Sequence, residues 1–240
     1  MDVIPAVDLM GGKVVRLVRG DPALATSYER LGDPVSVAKM WEAGGARFVH
    51  VVDLDAALGS GSNLEVVEAI ARAVEVPLQV GGGIRSLEAA RRIFSVGVKR
   101  AVLGSVAFSS PSVVNEILEE FGCNRVVIAL DNLGGQVMVR GWKASTKVSV
   151  PQAVKRFSEM GIKLFLVTSV ARDGTLSGPD LDVLSQLRRK EFEVIAAGGI
   201  GRLKDLVALK KAGASAVVVG KALYEGKFSL SEALRTVGDP

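Results

Sequence analysis

Gly82-Gly83-Ile84 recurs as Gly198-Gly199-Ile200, 116 residues further along the chain. The same offset continues without a gap, setting Leu87 on Leu203, Gly97 on Gly213, Val102 on Val218, Gly104 on Gly220 and Phe108 on Tyr224. Upstream it pairs Lys39 with Lys155, Gly45 with Gly161 and Val51 with Val167. Near the start of each copy the offset becomes 123: Ala6 falls on Ala129, Asp8 on Asp131, Gly11-Gly12 on Gly134-Gly135 and Val14 on Val137. A longer first loop in the N-terminal copy, between Gly20 and Pro34, absorbs the difference. Internal repetition on this scale means that the two halves are copies of one supersecondary unit.

Within each copy, short Val/Ile/Ala/Leu runs alternate with longer amphipathic stretches. The runs at 2–7, 47–52, 77–80, 99–103, 125–130, 163–168, 193–197 and 215–219 predict eight strands. Helical patterns lie between and after them at 34–44, 63–74, 86–96, 111–121, 151–160, 180–190, 202–212 and 229–237. Asp33-Pro34, Ser86 and Ser110-Pro111 read as helix starts, and Gly44-Gly45, Gly97, Gly122, Gly161 and Gly213 as helix ends. Eight strictly alternating βα units, built as two copies of four, predict an α/β fold. They form a single (β/α)8 TIM barrel over residues 1–240, with half-barrels of about 1–122 and 123–240.

Composition agrees. Hydrophobic residues make up 48% of the chain and aromatic ones only 5%, which suits buried parallel strands better than an aromatic-rich sandwich. The net charge of +4 is spread over helix positions such as Arg91, Arg92, Lys155, Arg156, Arg188, Arg189 and Lys190, with no basic tract. That pattern reads as solvated helix faces, not a nucleic-acid surface. One cysteine, Cys123, allows no intrachain disulfide and no cysteine cage for a metal. No apolar run reaches the ~18 residues needed to span a bilayer. The expectation is a soluble, cytoplasmic monomer with no membrane contact and no obligatory protein partner.

In this fold the residues that follow strand C-termini form the active face. Asp8 ends the first strand and Asp131 the fifth, on opposite sides of the barrel. An acid placed directly after an apolar strand is expensive to bury without a purpose. Two of them facing each other supply what a proton-transfer isomerisation needs: a base and an acid. A phosphometabolite sensor on the same scaffold would have no use for the pair.

Glycine clusters end four other strands. Gly82, Gly83, Gly104 and Ser105 sit after strands three and four, and Gly198, Gly199, Gly220 and Lys221 after strands seven and eight. Bare backbone N–H groups at such loops suit phosphate oxygens. Two cradles imply a small-molecule bisphosphate stretched across the mouth. Gly174 and Thr175, in Arg172-Asp173-Gly174-Thr175, extend the second cradle, and Asp173 lies beside it. Arg85 can neutralise phosphate at the first, and Thr168 can orient a carboxylate or a ribose hydroxyl. Trp142 either stacks on a planar heterocycle or anchors its own loop. His50 and Asp53 fall on opposite faces by period-two counting, and His50 reads as a histidine satisfied within the core. No His/Cys/carboxylate grouping has metal-ligand spacing, so no metal and no cofactor are expected. The segments 19–33 and 134–146 are the expected movers over a substrate.

Taken together, Ile4-Pro5-Ala6-Val7-Asp8-Leu9, His50-Val51-Val52-Asp53-Leu54, Gly81-Gly82-Gly83-Ile84-Arg85, Gly141-Trp142, Arg172-Asp173-Gly174-Thr175-Leu176 and Val219-Gly220-Lys221-Ala222-Leu223 carry a resemblance. They resemble, in order and from end to end, the phosphoribosylformimino-5-aminoimidazole carboxamide ribotide isomerase family of histidine biosynthesis. The resemblance implies an Amadori rearrangement of an aminoaldose ribose to an aminoketose. It casts Asp131 as general acid on the ring oxygen and Asp8 as general base for the C2′ proton, without a cofactor. Two positions depart from the family's habit: Asn132-Leu133 stand where Thr or Val and then Arg are common, and Thr168-Ser169-Val170 where Thr-Asp-Ile is common. The sister barrel, the cyclase subunit of imidazole glycerol phosphate synthase, usually carries Cys where this chain has Ala6 and lacks the Gly141-Trp142 pattern. Arg140 resembles the arginine that bifunctional relatives use for the carboxylate of phosphoribosylanthranilate.

Overall fold

A computed structural model describes residues 1–187 and 191–238. Eight parallel strands close on themselves: β1 (Asp2–Met10), β2 (Val49–Asp53), β3 (Leu78–Gly81), β4 (Arg100–Leu103), β5 (Val126–Leu133), β6 (Leu164–Ser169), β7 (Glu193–Ala197) and β8 (Ala216–Val219). Each pairs with the next, and β8 returns to β1 with Ile4 opposite Val218. The predicted (β/α)8 barrel is therefore the observed architecture, with each strand within a few residues of its expected place.

Residue alternation along the strands decides what faces where. Ile4 and Ala6 of β1, Val127 of β5, Leu164 and Leu166 of β6, Ile195 of β7 and Val218 of β8 pack together inside the barrel. Their neighbours Val3, Val7, Val51, Ile128, Phe165 and Val217 point outward into a larger core beneath the helices. Burying each large aliphatic side chain contributes about 1.5–3 kcal/mol, so both layers are needed to hold the closed sheet. Continuing the inward column by two residues carries β1 from Ala6 to Asp8, β5 from Ala129 to Asp131, and β6 from Leu166 to Thr168. The same periodicity that fills the barrel thus delivers polar groups to its mouth.

The surrounding helices are α1 (Pro34–Ala43), α2 (Leu64–Ala73), α3 (Leu87–Ser95), α4 (Pro111–Phe121), α5 (Val150–Glu159), α6 (Leu181–Ser185), α7 (Leu203–Ala212) and α8 (Leu230–Val237). Asp33 accepts from the Ser36 N–H at 2.7 Å ahead of Pro34, and Ser86 from Ala89 at 3.2 Å, as their sequences predict. Ser110 precedes Pro111 but its side chain makes no capping hydrogen bond; Pro111 alone carries that start signal. The last helical turn expected near 186–190 includes Arg188, Arg189 and Lys190, which lie outside the described residues; α6 itself stops at Ser185.

Two β-hairpins stand where the sequence predicts only loops. Strands Lys13–Val18 and Asp21–Ser27 follow β1, and Gln136–Val139 and Ala144–Ser149 follow β5. They occupy matching places in the two halves. Leu9 pairs with Val14 and Met10 with Lys13; 123 residues on, Asn132 pairs with Val137 and Leu133 with Gln136. The glycine loops repeat just as closely. A Cβ at Gly82 would lie 2.2 Å from the Asp53 carbonyl oxygen, and one at Gly198 would lie 2.8 Å from that of Ser169, the residue 116 positions after Asp53. Among the described residues no helix is long and apolar enough to cross a membrane.

Candidate active site

The barrel mouth holds a cavity of about 320 Å³. Asp8, Asp131, Thr168 and Asp173 line it, with Arg85, Gly82, Gly83, Gly104 and Ser105 to one side and Trp142 over it. Gly174, Thr175, Gly198, Gly199, Gly220 and Lys221 do not line it directly. Thr175 Oγ1 donates to the Arg172 carbonyl oxygen at 2.7 Å, within its own loop. Gly199 lets the backbone of Gly178 pass where a side chain would collide.

Asp8 is buried, and Arg16 Nη1 meets its Oδ2 at 2.7 Å. Burial raises the Asp8 pKa most; the Arg16 charge lowers it, Asp173 raises it, and the Arg16 hydrogen bond lowers it, leaving it at about 6. Sequence reasoning missed Arg16. Its only signal is a cation inside an otherwise apolar run, Val14-Val15-Arg16-Leu17-Val18. The first hairpin folds that stretch back along β1, with Asp8 opposite Val15, and so brings the guanidinium onto the carboxylate. Gly220 makes the room: a Cβ there would lie 2.3 Å from the Arg16 Cζ.

Asp131, across the barrel, has different partners. Trp142 Nε1 donates to its Oδ2 at 2.8 Å. Burial pushes its pKa up, against the Trp142 and Thr168 hydrogen bonds, and Asp173 adds to the rise. Asp173 is itself raised, chiefly by burial, and Arg16, the Gly174 backbone and Lys221 oppose that. One buried carboxylate, Asp8, and two half-buried ones, Asp131 and Asp173, therefore share the mouth with the buried Arg16 guanidinium, and each resists ionisation more than a free side chain does.

The remaining expected residues serve the walls. Arg85 Nη2 donates to the carbonyls of Ala56 and Ala57 at 3.1 and 2.9 Å, which leaves it at the cavity edge clamped to the short helix Leu54–Leu58. Asp53 caps that helix and takes both the backbone and side-chain N–H groups of Asn63 at 2.7 Å. His50 is buried with its Nδ1 3.0 Å from Gln79 Nε2, and burial lowers its pKa to about 4, so the ring is neutral at physiological pH. It is satisfied as expected but also lines the cavity floor, and the role of Gln79 was invisible in the sequence. At the first departure from the family pattern, Asn132 donates to the Thr168 carbonyl at 3.0 Å and accepts from Gly135, tying β5, β6 and the second hairpin together.

The loop from Arg140 to Trp142 is unusual. Arg140, Gly141 and Trp142 all have φ near +60°, at 58°, 63° and 68°. Left-handed backbone costs about 1–3 kcal/mol at each residue with a side chain, so contacts must hold it. The Trp142 ring lies over Gly20 of the first hairpin, where a Cβ would come within 2.5 Å of it. The two segments expected to move over a substrate are thus in contact across the mouth. Among the described residues, no group of three or more His, Cys, Asp or Glu side chains is placed to hold a metal ion.

A twofold-repeated (β/α)8 barrel with opposed, hard-to-ionise carboxylates at its C-terminal mouth is the architecture of an acid–base enzyme for a small substrate. The chain belongs to the histidine biosynthesis protein family, whose profile matches residues 2–229. Similar proteins include one from Nitrosopumilus maritimus, 42% identical over 99% of this chain and 100% of its own length. Another, from Thermus thermophilus, is 45% identical over 97% of this chain and 98% of its own. A third, from Moorella thermoacetica, is 43% identical over 100% and 99%. All three are named 1-(5-phosphoribosyl)-5-((5-phosphoribosylamino)methylideneamino)imidazole-4-carboxamide isomerase.

Proposed function

We propose that the chain catalyses the reaction its relatives are named for, the aldose–ketose (Amadori) isomerisation of that bisphosphate in histidine biosynthesis. The observation that carries the chemical reading is the pair of opposed carboxylates at the ends of β1 and β5, Asp8 buried and Asp131 half-buried, each with a raised pKa and a different partner. Asp8, held at about 6 beside Arg16, is ionised at neutral pH yet basic enough to take a proton. Asp131, held by the Trp142 and Thr168 hydrogen bonds with no cation against it among the described residues, is suited to giving one.

In the proposed sequence Asp131 donates its proton to the ribose ring oxygen as the C1′–O bond breaks, leaving a protonated Schiff base between C1′ and the nitrogen. Asp8 then removes the C2′ proton, and the electron pair moves into C1′=C2′ as the iminium is neutralised. Tautomerisation of that enol gives the C2′ ketone. The glycine loops after β3 and β4 receive one phosphate. Gly174, Thr175 and the loops after β7 and β8 receive the other, so the ribose is stretched between the carboxylates. Both acids and both cradles come from one chain, so a monomer is sufficient.

A steady-state assay with the formimino bisphosphate, without ammonia or a partner protein, tests this reading. Wild type should turn over, and Asp131→Asn should lose at least ~10²-fold in kcat, the usual scale for a general acid. Wild-type protein that leaves the substrate unchanged overturns the function. Turnover that survives Asp131→Asn overturns only the assignment of the acid.

Trp142→Phe offers a second check through pH. The indole N–H stabilises the ionised form of Asp131, so removing it moves the Asp131 pKa further upward. An acid works while it is protonated, and its activity falls as pH rises through its pKa. The limb of the kcat profile set by Asp131 should therefore shift to higher pH, while the limb set by Asp8 near pH 6 stays in place. An Asp131 limb that does not move would show that the indole hydrogen bond is lost once substrate is bound.

A further inference from the structure

The left-handed run Arg140-Gly141-Trp142 persists because it is pinned at both ends. At one end Trp142 Nε1 donates to Asp131. At the other, the Arg140 backbone N–H donates to Ser105 Oγ at 2.7 Å. Ser105 follows β4, which pairs with the β5 strand that carries Asp131, and lines the mouth together with Gly82, Gly83 and Gly104. A hydroxyl accepts and donates at the same time. The Ser105 oxygen accepts from Arg140, and its own hydrogen donates in no hydrogen bond among the described residues.

We propose that Ser105 is a positioning residue that couples phosphate binding at the β3–β4 side of the mouth to the pose of Trp142 against Asp131. The inference rests on the proposed reading of Gly82, Gly83 and Gly104 as a phosphate cradle. A phosphate oxygen that accepts the Ser105 hydrogen makes the Ser105 oxygen a stronger acceptor for the Arg140 N–H. That tightens the strained turn, and the turn presents the indole donor to Asp131. A phosphate remote from the reacting carbons then contributes to kcat as well as to affinity, because its binding energy is used to order the acid.

The chain has two tryptophans, and the other, Trp41, packs edge-on against Tyr224 away from this loop. Trp41→Phe therefore makes Trp142 the sole reporter. Inorganic phosphate is titrated by calorimetry and by Trp142 emission and acrylamide quenching, in this background and with Ser105→Ala or Ser105→Thr added. Phosphate should protect Trp142 from quenching in the parent and in Ser105→Thr, which keeps the hydroxyl. In Ser105→Ala phosphate should still bind, but Trp142 should no longer respond. The Ser105→Ala enzyme should also lose roughly tenfold in kcat, the scale of one good hydrogen bond, with a smaller change in KM. Phosphate binding without a Trp142 response in the parent, or with an equal response in Ser105→Ala, overturns the coupling. No phosphate binding at all overturns the cradle and the coupling together.

Discussion

Asp8→Asn is expected to lower kcat by ~10²–10⁴-fold at neutral pH, the range that a positioned general base contributes, while substrate affinity changes by only a few-fold. Asparagine keeps the shape of the side chain and can still accept from Arg16, but its amide oxygen cannot take a proton. The effect should therefore fall on turnover. The variant should also lose the acid limb near pH 6, because the group that sets it is gone. Some stability should be lost as well. Arg16 is buried with the Asp8 carboxylate 2.7 Å away, and only Asp173 and more distant groups remain to balance it. Truncating one partner of a buried ion pair is destabilising because the other charge stays behind. Steady-state kinetics across pH, alongside urea unfolding, separate the two effects. A folded Asp8→Asn enzyme that keeps more than about a tenth of wild-type kcat would remove Asp8 from the role of base.

Gly82→Ala should be among the most damaging single-methyl changes in the described structure. The new Cβ would lie 2.2 Å from the Asp53 carbonyl oxygen and 2.9 Å from its carbon, and the backbone there sits at φ +105°. Asp53 cannot retreat, since its carboxylate caps the helix Leu54–Leu58 and binds Asn63 twice. Strain plus collision should cost at least ~3 kcal/mol. For a chain of this size that lowers Tm by roughly 6–12 °C. Gly122→Ala is the control: its φ is also positive, at +79°, but nothing lies within 4 Å of the added methyl group, so only the conformational cost remains. Thermal or urea unfolding of both variants reads the difference. Equal losses would mean that the approach of β2 to the β3 loop is not what requires glycine.

Much of this protein is local in sequence and so was legible there. Strand and helix periodicities need only a dozen neighbouring residues to appear, and the repeat of Gly82-Gly83-Ile84 at Gly198-Gly199-Ile200 needs no structure at all. From these came the eight strands, the closed barrel, and the placement of Asp8 and Asp131 at opposite strand ends, because alternation along a strand dictates which side chains reach the mouth. The first hairpin was harder to read. Asp21–Ser27 is exposed along its whole length, so it has no buried face to impose an apolar alternation.

What tertiary structure alone decided is how the acids are tuned. A carboxylate's pKa depends on burial and on the charges and donors within a few ångströms, and those arrive from distant parts of the chain. Arg16 reaches Asp8 only because a hairpin doubles back, with Gly220 of the last strand's loop leaving room for it. Trp142 meets Asp131 only through a left-handed turn that Ser105 and Gly20 help to hold. His50 is neutral because burial, with the nearby Arg16 charge, lowers its pKa to about 4. Sequence pattern determined which residues stand at the mouth, since that is a matter of period and strand end. Packing determined what each can do there, since desolvation and hydrogen bonding act through space.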